Sequence, residues 1–221
     1  MSIAENIKNF KKILPSEVEL VAVSKFHPAS YILEAYEAGQ LLFGESRVQE
    51  FLEKHKELPS DIKWHFIGHL QTNKVKSIIG KTSLIESVDS EKLIRIIDVE
   101  SEKAGVITNV LLQVHVAAEE TKFGFYPEEL LDFFNSGRYK ELTSTKICGI
   151  MGMATNTDDT DRITTDFHHI NEIFETIKND ASLNLPEFDK LSMGMSGDWE
   201  IALEQGANIV RVGSAIFGSR Y

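Results

Sequence analysis

Residues 190–218 read KLSMGMSGDWEIALEQGANIVRVGSAIFG. Two short apolar runs, one from Lys190 and one from Ile209, flank a helical segment over 198–206 that Gly206 stops. The stretch is a strand–helix–strand unit, the repeat from which parallel sheets are built. The unit recurs toward the N-terminus. Strands are predicted to begin near Glu19 (ELVAVS), Leu41 (LLFGE), Lys63 (KWHFIG), Leu84 (LIESVD), Asn109 (NVLLQVHV) and Lys146 (KICGIMGM). Start-to-start spacings of 22, 22, 21, 25, 37, 44 and 19 residues suit strand–helix repeats. Helical spacing fills the gaps over 29–38, where Gly39 is the stop, and over 47–57. It continues over 90–104, with Leu93, Ile96, Ile97 and Val99 turned to the core, and over 160–179, with Ile163, Phe167, Ile170, Ile173, Phe174 and Ile177 on one face. Eight parallel strands alternating with helices predict an α/β fold, a closed (β/α)8 TIM-type barrel. An open doubly wound sheet would place a glycine-rich dinucleotide loop after the first strand. That position reads Ser24-Lys25-Phe26-His27-Pro28, and no G-x-G-x-x-G follows any strand.

The strand C-terminal ends form the active face of such barrels. Strand one ends in Lys25, followed by Pro28 rather than further charge. A lysine there either reaches solvent or, partly desolvated in the barrel mouth, acts as a nucleophilic amine. Strand seven runs through Gly194-Met195-Ser196-Gly197-Asp198 into its helix, and strand eight through Arg211-Val212-Gly213-Ser214. Small residues there let phosphate oxygens approach backbone N–H groups, with Ser196 and Ser214 adding hydroxyl donors. Loops after strands seven and eight are the usual phosphate site of this architecture. A lysine facing a phosphate cup suggests a cofactor carrying both an aldehyde and a phosphate.

Composition narrows the partners. The 221 residues hold 23 Lys+Arg against 34 Asp+Glu, a formal net charge of −11. Such a balance disfavours nucleic acid and anionic membranes unless a basic patch is present. The lysines at 8, 11 and 12 and at 74 and 76 lie in mixed-sign stretches and read as solvated helix faces. The longest uncharged stretch, 104–118, contains Thr108, Asn109, Gln113 and His115 and is too short and polar to span a bilayer. Residues 1–14 read as an amphipathic helix, with Ile3, Ile7, Phe10 and Leu14 on one stripe and Ser2 with Glu5 as its capping box. That helix is expected to cover the barrel beside its minimal last helix. No linker divides the chain, so 1–221 is expected to be one domain. The lone Cys148 permits no intramolecular disulfide and suits a reduced, cytoplasmic setting.

With these residues in hand, the sequence resembles the pyridoxal phosphate homeostasis protein family, single-barrel relatives of the alanine racemase N-terminal domain. The resemblance runs from about Val18 to Gly218. It is carried by VAVSK at 21–25, FGE at 43–45, VQE at 48–50, WHFIG at 64–68, LQTNK at 70–74, LSMGMSGD at 191–198 and RVGSAIFG at 211–218. It implies a fold-type III barrel holding pyridoxal 5′-phosphate as a Schiff base on Lys25. It further implies phosphate contacts from Ser196, Gly197, Gly213 and Ser214, and Arg211 facing the pyridine nitrogen. A guanidinium only donates, so its partner nitrogen must carry no proton, which leaves the ring a weaker electron sink.

Three positions depart from the family pattern. Ser46-Arg47 replaces a common Asn-Tyr after FGE, which would place an extra positive charge near the mouth, and His115 replaces a common Asn. His65, His69 and His115 lack metal-ligand spacing and read as packed or rim histidines; His168 and His169 read as surface residues. The Asp158-Asp159-Asp161 cluster reads as the cap of the helix that follows. Racemases of the resembled kind take a second acid/base from an additional C-terminal domain. The sequence ends at Tyr221, and Tyr31, Tyr36, Tyr126 and Tyr139 have no clear place as substitutes. The expectation is therefore a monomeric, cytoplasmic binder that keeps pyridoxal phosphate supply and amino- and keto-acid balance in order, with apo-enzymes as recipients. The alternatives are a small racemase-like enzyme and, more remotely, an aldolase-type barrel acting on a sugar phosphate.

Overall fold

The computed structural model describes residues 2–117 and 123–218; both ends of the expected 1–221 domain, Met1 and Tyr221, lie outside the described residues. Eight strands form a closed parallel barrel in sequence order. They are β1 (Glu19–Val23), β2 (Leu42–Glu45), β3 (Lys63–Phe66), β4 (Leu84–Val88), β5 (Thr108–Val114), β6 (Thr145–Gly152), β7 (Lys190–Ser192) and β8 (Ile209–Val212). Closure is made where β8 pairs with β1, from Glu19 opposite Ile209 to Ala22 opposite Val212. The helices are α1 (Ile3–Ile13), α2 (Ala29–Glu37), α3 (Val48–Glu57), α4 (Val75–Ile78), α5 (Glu91–Ala104), α6 (Pro127–Asn135), α7 (Thr160–Lys178), α8 (Trp199–Glu204) and α9 (Ser214–Phe217). Among the described residues no helix is long and apolar enough to cross a membrane.

The strands are apolar on both faces because both faces are covered. In β1, Leu20 and Ala22 join the main core between sheet and helices, while Val21 and Val23 join a smaller cluster inside the barrel with Leu84, Leu111, Cys148, Met151 and Ile209. The same alternation in β8 sends Val210 and Val212 outward and Ile209 inward, so Arg211 shares the inward face. That parity carries a charged side chain into the barrel.

The N-terminal helix behaves as its pattern implies. Ser2 and Glu5 form the capping box, and Ile3, Ile7 and Phe10 are buried. The helix lies against α9 through the Asn6 amide, which donates to the Ile216 carbonyl at 2.9 Å, and against α8 through an edge contact of Phe10 with Trp199. Asp159 caps α7 by accepting from the N–H groups of Asp161 and Arg162. One predicted face is corrected. On α5 the buried residues are Leu93, Ile94, Ile97, Asp98 and Ser101, while Val99 is 45% exposed. Positions 93, 97 and 101 stack at four-residue spacing, and Val99, two residues from Ile97, is carried to the opposite side. Buried Asp98 accepts N–H donations from Thr143 and Ser144, just before β6.

Candidate functional site

Lys25, Ser196, Gly197, Arg211, Gly213 and Ser214 line one cavity of about 460 Å³ at the C-terminal end of the barrel. They come from the ends of three elements: β1, the turn between β7 and α8, and β8 with its turn into α9. Val23, Ile67, Met151, Met153 and Met195 supply apolar wall. The volume lies within the usual range for small-molecule sites, and an apolar lining with a few converging polar groups is their usual chemistry.

The turn after β7 takes its shape from Gly194, at φ +86°, where a side chain would collide with Ala202 and Trp199. The turn is held by Asp198, whose carboxylate accepts from the Met195 N–H at 2.5 Å. At Gly197 an added Cβ would meet nothing within 4 Å, so the backbone there is an open cradle. The Ser196 hydroxyl oxygen ties the two turns together by accepting from the N–H groups of Gly213 at 3.1 Å and Ala215 at 3.4 Å.

Arg211 is 4% exposed, and its guanidinium is held by hydrogen bonds inside the barrel. One terminal nitrogen donates to the Ser192 hydroxyl at 2.6 Å and the other to the Gly152 carbonyl at 3.0 Å. The Ser192 hydroxyl in turn donates a hydrogen bond to Glu86 Oε2 at 2.6 Å, and Glu86 Oε1 faces His65 Nδ1 at 2.5 Å. Glu86 also stands 3.8 Å from the guanidinium. Four side chains from β3, β4, β7 and β8 therefore form one buried polar layer beneath the cavity. Burial alone would raise the Glu86 pKa; the hydrogen bond and charge of His65, the Arg211 charge and the Ser192 hydroxyl outweigh it and hold the carboxyl below its usual range. Burial pushes the Arg211 pKa down, opposed by Glu86 and Asp198.

The sequence reading missed Glu86 and Ser192. A glutamate inside the apolar run LIESV carried a signal, since a carboxylate at a strand position buried on both faces needs a partner. The histidines separate by role: His65 is in the polar layer, His69 bonds Asp89 and stacks on Phe123, and His115 packs edge-on to Tyr126. Among the described residues, the buried His115 Nδ1 has no hydrogen-bond partner. Arg47 stands over the residue that follows Lys25, its guanidinium 4.5 Å from the ring centre of Phe26.

A (β/α)8 barrel in which a strand-one lysine shares a cavity with glycine–serine turns after strands seven and eight defines the class of barrel found at the N-terminus of alanine racemases. The family model described as alanine racemase, N-terminal domain, matches residues 1–221. The chain is 40% identical over 203 residues to the pyridoxal phosphate homeostasis protein of Aquifex aeolicus, covering 91% of this chain and 87% of that one. It is 40% identical over 207 residues to the protein of the same name from Schizosaccharomyces pombe, covering 92% and 84%. PipY of Synechococcus elongatus, solved with pyridoxal phosphate bound, superposes with a TM-score of 0.90 at 35% identity over 98% of this chain and 100% of that one. The chain belongs to the pyridoxal phosphate homeostasis protein family.

Proposed function

We propose that this protein binds pyridoxal 5′-phosphate in the cavity above Arg211 and helps maintain the cell's supply of that cofactor and its amino- and keto-acid balance. The observation that carries the reading is the convergence of an amine, a guanidinium and two small-residue turns on one cavity of about 460 Å³. The residues fit the group. Lys25 would hold the aldehyde carbon through its amine. Ser196, Gly197, Gly213 and Ser214 would surround the phosphate, and the open backbone at Gly197 leaves room for its oxygens. The methionine and aliphatic walls suit the faces of an aromatic ring. When bound, the cofactor supplies an electrophilic carbon conjugated to an electron-withdrawing ring.

Arg211 sets how strongly that ring withdraws electrons. Its guanidinium offers only donors and sits on a rigid polar layer, so it would meet the ring nitrogen in its proton-free form. This chain's residues thereby favour holding the cofactor over activating it. On this reading the protein is a single barrel over 1–221, monomeric and cytoplasmic, passing cofactor to apo-enzymes. Incubation with amino acids in deuterium oxide separates it from the racemase-like alternative: no α-deuterium uptake is expected, and turnover-level uptake would favour the enzyme.

The phosphate cup is tested by Ser214→Asp. A carboxylate set against the phosphate repels it, and even about 1.4 kcal/mol of repulsion weakens retention tenfold. Equilibrium dialysis of wild type and variant against the cofactor measures this; equal retention would remove Ser214 from the cup.

A further inference from the structure

A second buried charge cluster lies beside the Lys25 segment. Lys54, on α3, is 6% exposed, and its ammonium donates in three directions: to the Ser24 carbonyl at 2.8 Å, to Glu45 Oε1 at 2.7 Å and to Glu50 Oε1 at 2.6 Å. The same two carboxylate oxygens accept from the end of β1. Ser24 Oγ donates to Glu45 Oε1 at 2.7 Å, and the Phe26 N–H donates to Glu50 Oε1 at 2.6 Å. The residues immediately before and after Lys25 are thus both tied to one buried cation, directly or through one carboxylate. Phe26 is one of two non-glycine residues with positive φ among those described, at +69°, a conformation that persists only where its surroundings impose it. The clamp is built from the FGE and VQE motifs: Glu45 closes the first, Glu50 closes the second, and Lys54 follows one helical turn later.

We propose that Lys54 is a positioning residue for Lys25, its ammonium fixing the Ser24–Phe26 backbone through Glu45 and Glu50 so that the Lys25 amine meets the cofactor aldehyde. The proposal rests on the reading of the cavity as a pyridoxal phosphate site. In the capture step the amine nitrogen bonds to the aldehyde carbon, and the carbonyl oxygen departs as water with both amine protons, leaving a carbon–nitrogen double bond. Lys54 touches neither reactant. Its contribution is geometric, and reactions of this kind fall steeply when the attacking atom is displaced by an ångström.

The test separates capture from binding in the full-length protein. Capture is followed as the rate of Lys25 modification by pyridoxal phosphate, fixed with borohydride and read by peptide mass spectrometry. Binding alone is followed with pyridoxine 5′-phosphate, which keeps the ring and phosphate but has an alcohol in place of the aldehyde. Lys54→Met is expected to slow capture about tenfold to a hundredfold while leaving affinity for pyridoxine 5′-phosphate unchanged. Lys54→Arg, which keeps the charge and donors, should restore most of the rate. Glu50→Ala removes the acceptor of the Phe26 N–H at a half-buried position and should slow capture with the fold intact; it decides the question if Lys54→Met does not fold. Unchanged capture in the variants that fold, or parallel losses of capture and analogue binding, would overturn the proposal. A wild-type protein that binds the analogue but never acquires a Lys25 adduct would overturn the cofactor reading itself, and this proposal with it.

Discussion

Glu86→Leu is expected to destabilise the barrel by about 3–5 kcal/mol, among the largest effects of any single substitution in this chain. Glu86 is 0% exposed and is the carboxylate that faces Arg211 in the barrel interior. Removing it leaves a buried guanidinium without its counter-ion, and leaves the Ser192 hydroxyl and the His65 ring without their acceptor. For a chain of this length the cost corresponds to a fall in Tm of about 6–20 °C. A double-variant comparison isolates the charge. If the loss comes from an uncompensated cation, adding Arg211→Leu to Glu86→Leu should cost much less than the sum of the two single changes. Strict additivity would show that the two charges do not sense each other. Thermal and denaturant unfolding of the three variants measures the outcome.

The pH dependence follows from the same carboxyl. Its folded pKa lies below the ordinary value of 4.5, so its stabilising contribution is fully present above that value and is lost as pH falls through the depressed one. Glu45 works in the opposite sense. Burial raises its pKa, offset only in part by Lys54 and Ser24, so the stability it contributes is present below 4.5 and lost as pH rises through the raised value. Glu86→Gln should therefore flatten the acid limb of the stability curve below pH 4.5, where the wild type loses stability. An unchanged acid limb would assign that loss to other groups.

Lys25→Ala is expected to abolish covalent retention of pyridoxal phosphate and the yellow colour that goes with it. The phosphate cup and Arg211 remain, so the variant should still bind the cofactor reversibly and lose it on dialysis. Little change in stability should accompany this, because Lys25 is half-buried at a strand end and its removal opens no core cavity. A colourless wild type after reconstitution would contradict the reading before the variant is made.

The order of strands was legible because parallel strands buried on both faces stand out as apolar runs. Each predicted start falls within one residue of the observed strand. The α5 face was misread because Val99 is apolar yet lies across the helix from Ile97; hydrophobicity at one position does not report which side it occupies. In the cavity, the glycines and serines after β7 and β8 were legible from their place at strand ends. The polar layer was not, since Glu86, Ser192, His65 and Arg211 meet only when the barrel closes. The FGE and VQE motifs were visible as segments, and the four-residue spacing of Glu50 and Lys54 marks a pair within α3; the bond that ties Lys54 to Glu45 on β2 joins two elements, and no spacing rule within either reveals it.

The most direct measurement is peptide mass spectrometry of the reconstituted protein after borohydride reduction. A single reduced pyridoxyl phosphate group on the peptide carrying Lys25 is the expected result. Modification of another lysine in place of Lys25, or no stable modification at all, would contradict the assignment of this cavity.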